Sequence, residues 1–288
     1  MGKAKTMTEH VVAGGVSGIA ARTCIAPIER LKIIYQLNSA SQTNAFAPIV
    51  RSIFNEGGVM GLWKGNTPAV IRVAPYMSCT FLAYEEYKSM LSSLRDYPNL
   101  QNLLAGSLGG ITAVCLTYPL DVVRARLAMQ NEGLLKGKSY KGMIDALRKI
   151  PREEGFRTLY RGLAPTCTGV GPYAGLKFGF YEALKTFMAK SQGIEKKELS
   201  AEYRVVSGAA AGAVAQTFVY PLDVVRRRMQ TGVKNYRGLF DAIRTIAVNE
   251  GVTRGLYRGL SLNYLKTIPN VAIYMSLYDV IKGQLDFD

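Results

Sequence analysis

Long, mostly apolar stretches alternate along the chain with shorter polar segments. Residues 7–37 form the first such stretch, rich in glycine and alanine, and residues 66–91 form the second. About 20 apolar residues, at roughly 1.5 Å each, carry a helix across the ~30 Å hydrocarbon core of a membrane. The pattern therefore predicts two spanning helices, bent at Pro27 and Pro75 because proline removes a backbone hydrogen bond.

A shorter segment, residues 46–58, lies between these two helices. Its apolar residues Ile49, Ile53 and Phe54 recur at helical spacing, and glycine ends it. This pattern predicts an amphipathic helix that lies along the membrane surface. Pairs of glycines four residues apart in the first helix of each unit predict close helix approach, since small residues let membrane helices pack tightly. These pairs are Gly14/Gly18, Gly106/Gly110 and Gly208/Gly212.

The whole arrangement occurs three times. The phrase YPLDVVRARL at 118–127 returns as YPLDVVRRRM at 220–229, and APIERLKIIYQ at 26–36 has the same skeleton of proline, acid and base. An aromatic–base–glycine triplet follows each copy at intervals of 97 residues, at Trp63-Lys64-Gly65, Tyr160-Arg161-Gly162 and Tyr257-Arg258-Gly259. Internal repeats of this kind define the fold.

We therefore predict an all-α membrane protein with six tilted spanning helices and three surface helices. A single domain, 1–288, would contain repeats at about 7–95, 96–192 and 200–285. A soluble all-α repeat protein is the alternative, but six glycine-rich, proline-bent helices do not favour it.

Composition narrows the function. A net charge of +15 with 48% hydrophobic residues suits an anionic membrane, an anionic ligand or both, rather than a nucleic-acid partner. The four cysteines are isolated, so neither a disulfide framework nor a metal site is expected. With His10 as the single histidine and no nucleophile–base pair, the sequence does not indicate an enzyme or a cofactor.

The three proline–acid–base motifs, each followed by an acid–glycine pair and the triplet, resemble the mitochondrial carrier family over nearly the whole chain. Repeats 2 and 3 have both bases of the family motif, whereas Ile34 stands at the second base of repeat 1. The resemblance implies a barrel with three-fold pseudosymmetry around a central cavity, and a gate at each end.

The resemblance also implies how the gates pair. The first set, here called the matrix ring, would pair Glu29–Arg124, Asp121–Arg226 and Asp223–Lys32, with Gln36 and Gln230 as braces and Ala128 in place of a third. The second set, the cytosolic ring, would pair Glu85–Lys185, Glu182–Lys282 and Asp279–Lys88. Three acids and three bases at equal intervals can close a ring without an unpaired charge, and water on an open side makes the pairs cheap to break. Purely structural ion pairs are the alternative interpretation.

A substrate without three-fold symmetry should contact residues that differ between the repeats. Along one face of the second helices, at intervals of 97, such residues form three sets, Arg72/Gly169/Lys266, Tyr76/Tyr173/Asn270 and Thr80/Lys177/Tyr274. Arg22 adds a cation from the first helix. Cations and tyrosines together favour a polyanion with a flat ring, whose phosphates bind arginine and lysine.

The family's contact positions imply the same substrate class. They correspond to Arg72, Gly169 with Val170, and Lys266, and the segment PYAGLKF at 172–178 looks most like the coenzyme A carriers. We predict exchange of coenzyme A or an adenine nucleotide across the mitochondrial inner membrane by alternating access. Alternatives are an ATP-Mg/phosphate or thiamine-pyrophosphate-like carrier, a proton-leak carrier, and a peroxisomal or hydrogenosomal membrane. Bound cardiolipin and a monomeric state are also expected.

Overall fold

The computed structural model describes residues 2–37, 46–130, 139–195, 198–232 and 234–285, and within them the regular structure is helical, without strands. Repeat 1 contains α1 (Gly2–Leu37), α2 (Phe46–Gly57), α3 (Asn66–Ile71) and α4 (Val73–Met90). Repeat 2 contains α5 (Pro98–Met129), α6 (Met143–Glu154) and α7 (Leu163–Gln192). Repeat 3 contains α8 (Ala201–Thr231), α9 (Leu239–Glu250) and α10 (Leu260–Leu285).

Short turns of tighter or wider helix connect these elements. The turns Val59–Trp63, Ser92–Leu94 and Phe156–Tyr160 are 3₁₀, and Val252–Leu256 is a π turn. The second long helix of repeat 1 divides into α3 and α4 at Arg72, whose own dihedral angles remain helical. Pro75, three residues later, has no N–H to donate to the carbonyl of Ile71, so the helix is weakest at that turn.

The long helices close into a ring. The second long helix of each repeat packs against the first helix of the next, α4 on α5 and α7 on α8, and α10 returns to α1. The helices α1, α5 and α8 also contact one another. By length and hydropathy, Pro98–Met129 and Glu202–Thr231 qualify as membrane-crossing helices among the described residues. The prediction of six spanning helices stays a prediction.

The glycine of each triplet anchors its repeat to the next one. Gly65, Gly162 and Gly259 all have positive φ, at 83°, 85° and 82°. A Cβ on Gly65 would lie 2.9 Å from the carbonyl oxygen of Arg124, and one on Gly162 would lie 2.9 Å from that of Arg226. Only glycine suits both this conformation and this approach to the neighbouring backbone.

The glycine pairs four residues apart lie at helix contacts in part. A Cβ on Gly14, Gly18, Gly110 or Gly208 would lie 3.4–3.9 Å from a side chain of another helix. A Cβ on Gly106 or Gly212 would meet nothing within 4 Å. The close approach is instead at Gly109, where a Cβ would lie 3.0 Å from the backbone nitrogen of Tyr84 on α4. On α5 the closest approach to α4 is therefore at Gly109, next to the Gly110 of the predicted pair, which faces α7.

The surface helix of repeat 1 is attached by apolar contacts. Ile49 and Ile53 of α2 are buried and pack on Ile34 of α1, whereas Phe54 remains 43% exposed. The apolar face predicted for α2 therefore packs against the protein through its two isoleucines. The isoleucine that replaces the second base of the motif forms part of this contact.

The surface helices of repeats 2 and 3 are attached by ion pairs in addition to apolar contacts. Arg126 binds both carboxylate oxygens of Glu154, at 2.5 and 2.8 Å. Arg228 binds Glu250 in the same way, at 2.5 and 2.7 Å. A bidentate arginine–carboxylate pair fixes orientation as well as distance, so α6 and α9 are attached to α5 and α8 at defined angles.

Candidate functional site

The matrix ring is closed in the structure. Its acids follow the helix-interior prolines of α1, α5 and α8 by two residues, and the bases follow three residues later. Each predicted acid is in contact with its predicted base from another repeat: Glu29 Oε2 with Arg124 Nη2 at 2.5 Å, Asp223 Oδ2 with Lys32 Nζ at 3.4 Å, and Asp121 with Arg226. Their function as a gate stays a prediction.

Burial makes the pairing obligatory. Glu29 and Asp121 are only 8% and 2% exposed, and their partner Arg124 is 7% exposed. A charge buried without a partner costs several kcal/mol, about 3–5 when one member of a pair is removed. Asp223 is half-buried and also accepts a hydrogen bond from Gln216 Nε2 at 3.3 Å. The ring is thus a network of compensated charges at the meeting point of three helices.

Two glutamines support the ring from a second layer. Gln36 donates from Nε2 to the Tyr220 hydroxyl and Gln230 to the Tyr118 hydroxyl, both at 3.0 Å. Each tyrosine ring also lies under a ring cation, Lys32 over Tyr220 at 5.2 Å and Arg226 over Tyr118 at 5.8 Å. The motif tyrosines therefore join the glutamines to the ion pairs.

The third position of this layer is built differently. Ala128 replaces the glutamine, and Ala26 stands where the motif tyrosine would be. The carbonyl of Ala128 accepts a hydrogen bond from Arg30 Nε at 2.8 Å. The carbonyls of Gln230 and Gln36 likewise accept from Arg126 and Arg228, at 3.3 and 3.2 Å. The junction between repeats 1 and 2 thus keeps a main-chain contact but lacks the side-chain brace.

The described part of the cytosolic ring is not paired as predicted. Lys185 contacts Glu182 of its own helix at 3.6 Å, not the predicted Glu85. Lys88 lies over the Tyr84 ring at 5.4 Å. Glu85 is exposed and makes no ion pair with any residue that the structure describes. Because an acid one turn away on the same helix needs no helix movement to reach Lys185, the local contact prevails here.

The other two predicted cytosolic pairs cannot be placed. Asp279 and Lys282 lie on α10, but their side chains are outside the described part of the structure. The pairs Glu182–Lys282 and Asp279–Lys88 therefore stay predictions.

Two of the predicted substrate cations are attached to the matrix ring. Arg72 Nη1 lies 3.1 Å from Asp121 Oδ1, its Nε donates to Thr117 Oγ1 at 3.0 Å, and its guanidinium lies over the Tyr76 ring at 4.6 Å. Lys266 Nζ lies 3.4 Å from Glu29 Oε1. Asp121 and Glu29 therefore each bind two cations, one from the ring and one from the substrate set.

The other two predicted cations have no carboxylate partner. Neither Arg22, which is half-buried, nor Lys177, which is exposed, forms an ion pair within the described residues. The charge of Arg22 interacts with those of Glu29 and Asp121, which places it close to the ring. Lys177 lies eight residues after Gly169 on α7, about 12 Å farther along the helix. Arg72, Lys266 and Arg22 thus lie near the matrix ring, whereas Lys177 lies farther along its helix.

The remaining predicted substrate residues differ in how far they are packed against neighbouring helices. A Cβ on Gly169 would lie 3.1 Å from Val219, and Val170 packs against Gly110, so this pair helps to hold α7 between α5 and α8. Thr80 donates to the carbonyl of Tyr76 at 2.7 Å. The half-buried Tyr173 and Asn270 and the exposed Tyr274 complete the set.

Sequence reasoning missed two polar residues of the site. Asn263 accepts a hydrogen bond from Lys32 Nζ at 2.8 Å, and Arg227 follows the ring base Arg226. Both break the three-fold symmetry. Asn263 corresponds to Ala69 and Thr166 at intervals of 97, and Arg227 corresponds to Ile33 and Ala125 when the motif prolines are aligned. A difference in residue type between equivalent positions of the three repeats is the sequence signal that identifies both residues.

This arrangement defines a class of protein. Three helical repeats contribute cations beside one closed ring of charges, and the predicted Glu85–Lys185 pair of the second ring is not formed. The described residues include no group of three metal-ligating side chains. Such a site can bind an anion and release it when pairs exchange, which is the chemistry of a transporter.

Comparison with known proteins gives the family. The family model described as mitochondrial carrier protein matches residues 3–94, 95–192 and 197–287. The mitochondrial coenzyme A transporter SLC25A42 of Danio rerio is 41% identical over 286 residues, covering 96% of this chain and 87% of that protein. Its Homo sapiens namesake is 41% identical over 288 residues, covering 96% and 88%. Mitochondrial carrier protein CoAc2 of Zea mays is 39% identical over 293 residues, covering 95% and 85%.

The chain belongs to the mitochondrial carrier family. It is a transporter of the mitochondrial membrane and not an enzyme, as the sequence analysis predicted.

Proposed function

We propose that this protein transports coenzyme A across the mitochondrial inner membrane, in exchange for a second anion such as an adenine nucleotide. The relatives at about 40% identity are named coenzyme A transporters, which supports the substrate. The observation that carries the proposal is the mixed set of cations and tyrosines beside the matrix ring. Coenzyme A has three phosphate groups and an adenine ring, and this set has partners for both.

The contacts suggest how substrate binding leads to opening. With the matrix ring closed and the Glu85–Lys185 pair unformed, the substrate enters from the cytosolic side. Its phosphates compete with Asp121 for Arg72 and with Glu29 for Lys266. Each carboxylate then retains only its ring base. The substrate shifts the equilibrium toward the opposite state by the difference between its affinities for the two states.

Opening toward the matrix requires the cytosolic ring to pair in its turn. In that state Lys185 exchanges Glu182 for Glu85, so that acids and bases join different repeats. Because the six spanning helices form three equivalent pairs, the three repeats move in equivalent ways during this alternating access.

Uptake into proteoliposomes tests the substrate directly. Labelled coenzyme A should enter vesicles loaded with coenzyme A or ADP and enter empty vesicles much more slowly. Unlabelled coenzyme A should compete more strongly than dephospho-coenzyme A, AMP or phosphate. Competition by a dicarboxylate or keto acid alone would exclude the nucleotide class, and proton flux without anion uptake would indicate a proton-leak carrier.

Anionic lipid is the second partner of the proposal. The base Arg161 is exposed and directly precedes the N-terminal end of α7, where backbone N–H groups and positive charge favour a phosphate. Cardiolipin, added to the monomeric protein in detergent, should raise its melting temperature more than equal phosphate as phosphatidylglycerol. Equal melting temperatures with and without both lipids would argue against the lipid site.

A further inference from the structure

Three successive arginines on α8 have three different environments. Arg226 binds the ring acid Asp121, and Arg228 binds Glu250 of the surface helix. Arg227, between them, donates from Nη1 to Gln230 Oε1 at 3.1 Å and forms no ion pair within the described residues. Arg227 is therefore the member of this run whose charge no carboxylate compensates directly.

The guanidinium of Arg227 is nevertheless located at the matrix ring. Its charge interacts with those of the three ring acids, Glu29, Asp121 and Asp223, and with that of Lys32. Each of those acids already has its own base. Arg227 thus adds a positive charge that closure of the ring does not require.

Nor does the repeat architecture require it. The positions equivalent to Arg227 are Ile33 and Ala125, which are 2% and 0% exposed. Both are apolar packing residues, and Ile33 belongs to a core cluster beneath the surface helix of repeat 2. A position that is apolar in two repeats and cationic in the third breaks the symmetry, as a contact to an asymmetric substrate must.

Positive charge is in excess throughout this region. Three carboxylates are in contact with five cations, which are Lys32, Arg72, Arg124, Arg226 and Lys266. Arg227 is a sixth. Keeping uncompensated cations in a partly buried site costs free energy, and a bound anion offsets that cost.

Unused donors beside Arg227 point to an anion with several acceptor oxygens. Within the described residues, one of the five N–H groups of its guanidinium donates a hydrogen bond. In the same part of the chain, the buried Nε of the adjacent Arg226 has no hydrogen-bond partner. A phosphate group, which accepts from several N–H groups at once, matches two neighbouring guanidinium groups of this kind.

We propose that Arg227 binds a phosphate group of the substrate at the matrix end of the transport path, after the ring has opened. Gln230, which also braces Tyr118, holds the guanidinium in place. The inference rests on the proposed function in that it takes the substrate to be a phosphate-bearing anion. It assigns Arg227 to the matrix side, whereas Arg72 and Lys266 are reached from the cytosolic cavity.

Sidedness is the property that distinguishes this function from a structural one. A phosphate that enters from the matrix meets Arg227 early, whereas one that enters from the cytosol meets the closed ring first. Loss of one charge-assisted contact lowers affinity by about ten- to a hundred-fold. Arg227→Gln should raise the KM on the matrix side by that factor and change the cytosolic KM by less than about three-fold.

The test uses proteoliposomes in which the orientation of the carrier has been determined by protease accessibility. Wild type, Arg227→Gln and Arg227→Lys are compared for coenzyme A and dephospho-coenzyme A on each side, with melting temperatures measured in parallel. Arg227→Lys should give an intermediate matrix-side KM. Arg244→Gln, at an exposed position on α9, removes the same charge from the same repeat and should behave as wild type.

The outcomes separate the two proposals. An equal rise of both KM values, or a lowered melting temperature with unchanged KM, would make Arg227 a structural residue. If wild type carries no coenzyme A, the proposed function fails, and the same side-by-side comparison is made with the phosphate-bearing anion that it does carry. Transport restricted to anions without phosphate would overturn both.

Discussion

The matrix ring and the cytosolic ring have the same composition, three acids and three bases from three repeats, but the ion pairs that their described residues form are different. In the matrix ring every acid contacts a base from another repeat. In the described part of the cytosolic ring, Lys185 contacts an acid of its own helix and Glu85 contacts none. Equal numbers of acids and bases therefore do not determine which ion pairs form in a given state of the protein.

The energetic consequence of this difference is large. An exposed ion pair stabilises a protein by about 0–1 kcal/mol. Removing one partner of a buried pair costs about 3–5 kcal/mol. Substitutions in the closed ring should therefore affect both stability and transport, whereas those in the open ring should leave the stability of this state nearly unchanged.

The largest effect is expected when a buried ring acid is reversed. Glu29→Arg removes the carboxylate that Arg124 and Lys266 share and adds a third positive charge. Exchange in proteoliposomes should fall more than a hundred-fold, consistent with about 3–5 kcal/mol. Adding Arg124→Glu should restore part of the rate, because one pair can form in reverse. A double variant no faster than either single variant would show that this pairing does not control transport.

The next effect concerns a cation that is attached to neither ring. Lys177 is exposed and has no acid partner in the described structure. If it binds a substrate phosphate, Lys177→Ala removes a contact of about 1.5–3 kcal/mol and weakens binding roughly ten- to a hundred-fold. The melting temperature without substrate should not change.

The substrates and the salt concentration provide the control for Lys177. Competition by coenzyme A, ATP, ADP, AMP and phosphate should be measured at two ionic strengths, and the loss should be greatest for the anions with most phosphates. A small, uniform weakening that disappears in high salt would mean that Lys177 only raises the local potential.

A smaller effect is expected from the brace layer. Gln230→Ala removes one donor to Tyr118, whose hydroxyl also lies 3.3 Å from the carbonyl oxygen of Arg161 and 3.4 Å from Thr166 Oγ1. The variant also removes the acceptor of Arg227 Nη1, so it should lower stability by about 2 kcal/mol, measured as a lower melting temperature in detergent. Gln36→Ala removes the single bond to Tyr220 and should cost about 1 kcal/mol. A change in neither variant would contradict the assignment of braces.

Much of the matrix ring was predictable from the sequence, because the repeats place acid and base at equal intervals. Three-fold symmetry allows two cyclic pairings of these residues, and the family resemblance implied the one that the structure shows. Which ring is paired in this structure was not predictable, since one sequence must allow both the paired and the unpaired arrangement of each ring. Nor were the contacts of Arg72 and Lys266 with ring acids, because long side chains choose among partners only once the helices have converged. The tight contact at Gly109, rather than Gly106, depends likewise on how α5 is rotated against α4.

The smallest expected effect on stability is at Glu85, and it tests the comparison of the two rings most directly. Glu85 is exposed and unpaired among the described residues, so Glu85→Gln should change the free energy of unfolding of this state by less than about 1 kcal/mol. Transport should still fall, because the matrix-open state needs the Glu85–Lys185 pair. The charge-swapped double variant, Glu85→Lys with Lys185→Glu, should recover part of the rate. Glu29→Gln, measured under the same conditions, should lose both stability and rate. Equal losses of stability at Glu29 and Glu85 would mean that the two rings do not differ in the way their contacts indicate.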